Sequence, residues 1–254
     1  MRELCEKMDA VCLAAQIILE SGGETYRSEE TAEKMCQGFG IEKMDVLAMP
    51  TGVTMTVQSE DGESMTRIVR VHQRAINLAR IDACNCVSRK VATGKMNAEE
   101  AYRTLEAIRT SPPFPQSMMI VACALSSGFF AVMLGGMWID FAVACVCGLV
   151  TQALLPCLHK RRVPTVLTGM ISGFFTALIA LLSRAYFPQI NIEAVISGAI
   201  MPVLPGMAMT SAIRDTIRGD LVSGGARSVE AVLSAVLIAA GVGIMMSLWG
   251  GVFG

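Results

Sequence analysis

The sequence predicts an α-helical integral membrane protein with five transmembrane helices, preceded by a cytoplasmic α+β domain, and three observations carry that reading. Of the 254 residues 53% are apolar and only 17% charged, which is unusual for a soluble chain. Residues 1–110 hold 14 of the 21 Lys and Arg and 17 of the 22 Asp and Glu, leaving seven basic and five acidic side chains for residues 111–254. That second part contains five apolar stretches, 116–138, 139–158, 164–183, 192–211 and 229–249, each near the ~20 residues a bilayer requires. Composition changes at Ser111-Pro112-Pro113-Phe114-Pro115, where prolines forbid a continuous helix. The domains are therefore read as 1–110, cytoplasmic α+β, and 111–254, membrane.

In the first domain, Leu4, Met8, Val11, Cys12, Ala15, Ile18 and Leu19 share one helical face over 4–19, and Ser21-Gly22-Gly23 ends that helix. Ser28 is read as the cap of a second helix with Glu29 and Glu30 in its first turn. Residues 44–49, 53–59 and 64–71 read as strands, with Asp61-Gly62 turning between the last two. Helices over 74–93 and 98–110 lead towards the membrane.

In the second domain, Trp138-Ile139-Asp140 must be a tight turn between the first two spans. Lys and Arg are absent from the first loop, present as Lys160, Arg161 and Arg162 in the second, reduced to Arg184 in the third, and present as Arg214, Arg218 and Arg227 in the fourth. By the positive-inside rule the N-terminal domain and the second and fourth loops face the cytoplasm, and the C-terminus faces out. Trp138, Tyr186 and Trp249 then fall at the outer interface. Ala231, Ala235, Ala239 and Gly243 on the fifth span, and Gly169, Gly173 and Ala177 on the third, form small-residue stripes that let helices approach closely. The same composition is also simply common in membrane helices.

The fourth span carries Met201-Pro202-Val203-Leu204-Pro205-Gly206 near its middle. Two prolines remove two backbone donors and free the carbonyls of Gly198 and Met201. Either this is a plain proline kink, or it is a broken helix whose second half, from Met207, points its positive end at an anionic substrate group. The following run contains Arg214, Asp215, Arg218, Asp220, Arg227 and Glu230. It reads either as a salt-bridged cytoplasmic loop with a Gly-Gly helix stop, or as a functional segment continuing the broken helix.

Other classes are excluded on composition. A net charge of −1 without a large basic cluster gives no footprint for nucleic acid. Nine cysteines without CxxC spacing read as small buried hydrophobes. With two histidines and no P-loop, Gly-x-Ser-x-Gly or HExxH, neither a metal nor a cofactor is expected. Glu24, Arg27, Glu30, Arg70, His72, Arg74 and Asn77 form either a polar pocket of the first domain or a solvated face.

Gly22-Gly23-Glu24-Thr25-Tyr26-Arg27, the Pro205-Gly206 break, and the pattern Arg214-Asp215, Gly219-Asp220, Ser223-Gly224, Arg227 and Glu230-Ala231 together resemble the threonine/serine exporter family along nearly the whole chain. The resemblance implies a transporter and not an enzyme, located in the cell membrane. It also implies a small membrane protein as partner, supplying the second half that the family's larger members carry on one chain, in an oligomeric assembly. Some split pairs of the family are associated with succinate export. Expected substrate-binding residues are Pro205, Gly206, Met207, Arg214, Asp215, Asp220 and Arg227, with Asp215, Asp220 and Glu230 in coupling or gating. The expected substrate is a small carboxylate metabolite, threonine, serine or a C4-dicarboxylate, moved with a proton. The alternatives are a membrane-anchored enzyme and a non-transporting scaffold subunit.

Overall fold

A computed structural model describes residues 2–58, 62, 64–111, 114–161 and 163–253. Ser59 and Asp61 at the predicted hairpin, Pro112 and Pro113 at the predicted boundary, and Arg162 of the basic loop lie outside the described residues. The chain divides into two compact units. The first is Met1–Pro112 with Met207–Ser228, and the second is Pro113–Gly206 with Val229–Gly254.

The first unit begins with α1 (Arg2–Glu20), α2 (Thr25–Gly38), β1 (Lys43–Met49), β2 (Gly52–Gln58), β3 (Ser64–Arg70), α3 (Leu78–Ala92) and α4 (Ala98–Thr110). The strands form an antiparallel meander in the order β1-β2-β3, with Leu47 opposite Thr54 and Thr54 opposite Ile68. Their alternation sets Val53, Met55 and Val57 into the core. α1 is the hub, packing on α2, α3, α4, β2 and β3, with Met8, Val11, Ile17, Ile18 and Leu19 buried. Asn97 and Glu100 make a reciprocal capping box that starts α4. α2 starts three residues before the expected cap. Glu24 is its N-cap, while Ser28 is buried inside it, donating its hydroxyl to Ala15 O at 3.0 Å.

The second unit contains α5 (Gln116–Met133), α6 (Trp138–Lys160), α7 (Thr165–Tyr186), α8 (Ile192–Ile200) and a 3-10 turn, Met201–Val203. The chain continues as α9 (Gly206–Ile217) and α10 (Leu221–Phe253). Among the described residues four helices are long and apolar enough to cross a membrane, and the interrupted pair Ile192–Val203 and Gly206–Ile217 makes a fifth if counted as one span. The expected first turn lies slightly earlier, between Met133 and Trp138, and Trp138 already begins α6. The expected stretch 229–249 is the later part of α10, which starts at Leu221 and runs through Gly224 and Gly225 without a stop.

The small-residue stripe of α10 is rotated from the expected one. Gly243 faces open space and Ala239 is exposed. The packed face instead runs through Ala231, Ile238, Gly241 and Met245. A Cβ on Gly241 would collide with the carbonyl oxygen of Met170, and one on Gly173 with that of Ile238. The third-span stripe thus does meet α10, through Gly169 and Gly173, but on the Ile238 side.

A buried acid that the sequence reading treated only as part of a turn organises this unit. Asp140 accepts Met137 N–H at 2.7 Å with Oδ2 and Asn191 N–H at 2.9 Å with Oδ1, while Asn191 caps α8 through Ala194 N–H at 3.2 Å. A lone carboxylate in an apolar stretch was the available signal. The cysteines are free thiols. Cys12, Cys36, Cys84 and Cys147 are buried, and Cys86 and Cys157 are exposed.

Candidate functional site

The two sequence patterns that carry the family resemblance, some 190 residues apart, meet inside the first unit. The turn between α1 and α2 supplies one side. Gly22 adopts φ +79°, a conformation that disfavours side chains, and a Cβ on Gly23 would lie 2.6 Å from Ile18 Cγ2. Two glycines are therefore needed to bring the chain round so tightly that α2 begins at Thr25, with its first amides available to an anion.

The α9–α10 hairpin supplies the other side. Gly219, at φ +92°, ends α9, and Asp220 caps α10 by accepting Ser223 N–H at 3.1 Å. Gly224 was a candidate stop. It is instead a point of close approach, since a Cβ there would lie 2.1 Å from Thr216 Oγ1 and 2.9 Å from Ala212 O.

Between these elements lies a set of matched charges. Asp215 Oδ1 accepts Thr25 N–H at 3.3 Å, Thr25 Oγ1 donates to Asp220 Oδ2 at 2.9 Å, and Arg227 Nη2 donates to Gly23 O at 2.7 Å. Glu24 takes Arg27 Nε at 3.0 Å on one oxygen and Arg214 Nη1 at 2.8 Å on the other. Arg218 stands 4.4 Å from the centre of the Tyr26 ring and 3.9 Å from Glu30 Oε1. Burial ranks these contacts. The Asp215 and Arg227 side chains are 0% and 5% exposed, whereas those of Arg214 and Arg218 are 52% and 59% exposed and contribute at most about 1 kcal/mol per pair. Asp215 Oδ2 lies 3.2 Å from Arg227 Nε in an ion pair that is not an aligned hydrogen bond, so this buried oxygen has no hydrogen-bond partner among the described residues.

The surrounding acids are tuned in opposite directions. Burial pushes the Glu24 carboxyl up, but bonds from its own backbone and Arg214, with the Arg27 charge, outweigh this and hold it below the usual carboxylate range. Asp220 follows the same pattern, with burial overcome by Ser223 and Thr25. Glu29, absent from the sequence-derived set, goes the other way. Burial raises it, against the bond it accepts from Ala48 N–H at 2.8 Å, and the nearby Asp220 and Asp215 charges add to the rise.

Of the polar cluster expected in the first domain, Glu24, Arg27 and Glu30 are tied into this set. Asn77 instead caps α3 by accepting Arg80 N–H at 3.1 Å, and Arg70, His72 and Arg74 are exposed. Pro205 and Gly206 close the second unit, and Met207 opens the stretch that belongs to the first. The helix is interrupted there as expected, but the Met201 carbonyl is not left open, because Leu204 N–H bonds to it at 3.3 Å and to Ile200 O at 3.1 Å. A Cβ built on Gly206 would meet open space, and both Gly206 and Met207 are exposed, Met207 by 48%. Glu230 is exposed on α10, and its carbonyl accepts the Ser234 hydroxyl at 2.9 Å. Among the described residues no group of three or more His, Cys, Asp or Glu is placed to hold a metal ion.

Comparison with known proteins gives one family model, described as "Putative threonine/serine exporter" (ThrE), matching residues 9–249. The threonine/serine exporter of Corynebacterium glutamicum is 27% identical over 95% of this chain and 51% of its own length. A protein of Mycobacterium tuberculosis named as a probable threonine/serine exporter is 22% identical over 96% of this chain and 46% of its own. The chain thus spans about half the length of these two relatives. It is also 20% identical to the probable succinate transporter subunit YjjP of Klebsiella aerogenes, covering 93% of this chain and 91% of that one. No solved structure matches.

Proposed function

Because the chain belongs to the threonine/serine exporter family, a family of membrane transporters, we propose that it is one subunit of a secondary exporter for a small carboxylate metabolite. The observation that carries the reading is the interrupted span. Its first helix ends at Ile200, its second starts at Gly206, and between them come the 3-10 turn Met201–Val203 and then Leu204 and Pro205. Broken helices of this kind present backbone dipoles to solutes near the middle of a membrane. In this reading Pro205, Gly206 and Met207 give the opening a carboxylate meets. Arg214, Asp215, Asp220 and Arg227, bonded to the turn before α2, hold the following hairpin in one state.

Asp215 is the proton carrier in this scheme, in preference to Asp220. Asp220 is committed to capping α10 and to Thr25, and is held below the usual carboxylate range. Asp215 is fully buried and keeps one oxygen without a hydrogen bond to any described residue. Protonating it would weaken its attraction to Arg227 and release the hairpin. Residues 1–110 lie in the cytoplasm, following the positive loops. A small membrane protein completes the exporter in this reading, which the word subunit in the name of the succinate transporter relative supports only as far as there being a partner.

The test is efflux of labelled threonine, serine and succinate from vesicles carrying this chain with and without a candidate small membrane partner from the same cells. Efflux of one substrate that needs both chains and an imposed pH gradient is the expected result. Absence of efflux for all three, with both chains present and inserted, sinks the reading.

A further inference from the structure

The first unit contains a second polar feature that the charged set does not use. An open cleft of about 320 Å³ lies between α2 and α3, with Arg27, Lys34 and Arg89 on its walls against one carboxylate, Glu30. Glu30 is itself 3.9 Å from Arg218, so the cleft carries excess positive charge. Neither Lys34 nor Arg89 has an acidic partner among the described residues. Arg89 donates only to the weak acceptor Cys86 Sγ, at 3.3 Å.

The floor is polar as well. Thr31 and Ser88 line the cleft and are 5% and 4% exposed. Ser88 donates its hydroxyl to Asn85 O at 3.1 Å, but the Thr31 hydroxyl makes no hydrogen bond to any described residue. Hydroxyls lining a cleft that also carries three cations can donate to the oxygens of a bound anion. The cleft also falls in the size range of small-molecule sites.

We propose that this cleft binds a small dianion bearing carboxylate or phosphate oxygens. Lys34 and Arg89 supply the charge, and Thr31 and the Asn85 amide supply the orienting donors. A single negative charge or a zwitterion leaves the cation excess unmatched, which is why a dianion fits. The site also reaches the α9–α10 hairpin. Arg27 shares Glu24 with Arg214, and Tyr26, on the cleft wall, lies under Arg218. A ligand that draws on Arg27 therefore competes with the contacts holding α9. That regulatory consequence rests on the exporter reading, whereas the binding itself does not.

Calorimetric titration of the purified full chain in lipid nanodiscs, with succinate, inorganic phosphate and threonine, tests the site. Saturable binding of succinate or phosphate is expected. It should weaken by about tenfold or more in the Lys34→Gln, Arg89→Gln double variant and fall with added salt, with threonine bound far more weakly. Both substituted side chains are exposed, so an unchanged thermal midpoint verifies the fold. Succinate alone assigns the site to a metabolite, and phosphate alone to a phosphate group. Binding of neither, or binding that the double variant leaves intact, overturns the proposal. A chain that binds the dianion but shows no efflux keeps this inference and loses the exporter reading.

Discussion

The two units solve packing by opposite means. The core of the first is built from large side chains, among them Met8, Ile17, Ile18, Leu19, Met35, Met55 and Leu105, all essentially removed from solvent. The core of the second is dominated by small ones, with Ala131, Ala144, Cys147, Ala177, Ala180 and Ala199 at its centre. Water rewards the burial of apolar area, so the first unit fills its interior with long aliphatic chains. Lipid tails offer no such reward, and helices gain by bringing backbones close, which only Gly and Ala permit. Polar groups differ in parallel. The first unit joins many charges in pairs, while the second buries the single carboxylate Asp140 against two backbone amides.

The largest effect is expected where a buried charge loses its partner. Asp215→Ala should destabilise the first unit by roughly 3–5 kcal/mol, because the buried Arg227 loses the carboxylate it is paired with. The double variant Asp215→Asn, Arg227→Gln should recover much of that loss in thermal unfolding of the full chain. Equal losses for the single and double variants would show that the pair does not act as a unit. This also bears on transport assays, since an Asp215 variant must be shown to be folded before lost efflux is assigned to the proton.

Packing gives the next contrast. Leu105→Ala in the first unit should cost about 2–5 kcal/mol through the cavity it opens. Gly241→Ala in the second should cost about 1–3 kcal/mol by overpacking, since its new Cβ lands on the Met170 carbonyl oxygen. If Gly241→Ala is silent in the same unfolding measurement, the close-approach account of the second unit is wrong.

Acidity separates the units more gently. Glu24 and Asp220 are held below their ordinary values, so they bind fewer protons when folded than when unfolded. Their contribution is complete above the ordinary carboxylate pKa and drains away as pH falls through their lower folded values. Thermal midpoints of the first unit should therefore drop on acidification, and less so in Glu24→Gln. The smallest effect belongs to Glu29, whose folded pKa is raised. Its stabilising share is present below the ordinary value and disappears as pH rises through the folded one. Glu29→Gln keeps an acceptor for Ala48 N–H, so it should raise the midpoint slightly at neutral pH and not at all in acid.

The sequence made period and interruption legible. The antiparallel strands follow from alternation around Gly62, the apolar spans from length, and the break from Pro205-Gly206. Pairings across long separations left no local trace. Thr25 with Asp215 and Gly23 with Arg227 could only have been suspected because both patterns belong to one resemblance. Glycine also misled where its role was ambiguous. Gly224 looks like a helix stop but permits a crossing, and Gly243 looks like a contact but faces outward, since spacing by four drifts round a helix.

The thiols turn the topology into something that can be read without altering the protein. Burial pushes Cys12, Cys36 and Cys84 up to about 12, so they stay protonated and unreactive at neutral pH, whereas Cys86 on α3 and Cys157 near the end of α6 are open to solvent or lipid. Where both positions face the cytoplasm, a bulky maleimide that cannot enter sealed cells would leave these two thiols unlabelled until the envelope is breached. The two native handles would answer together if the first unit and the second loop share a compartment.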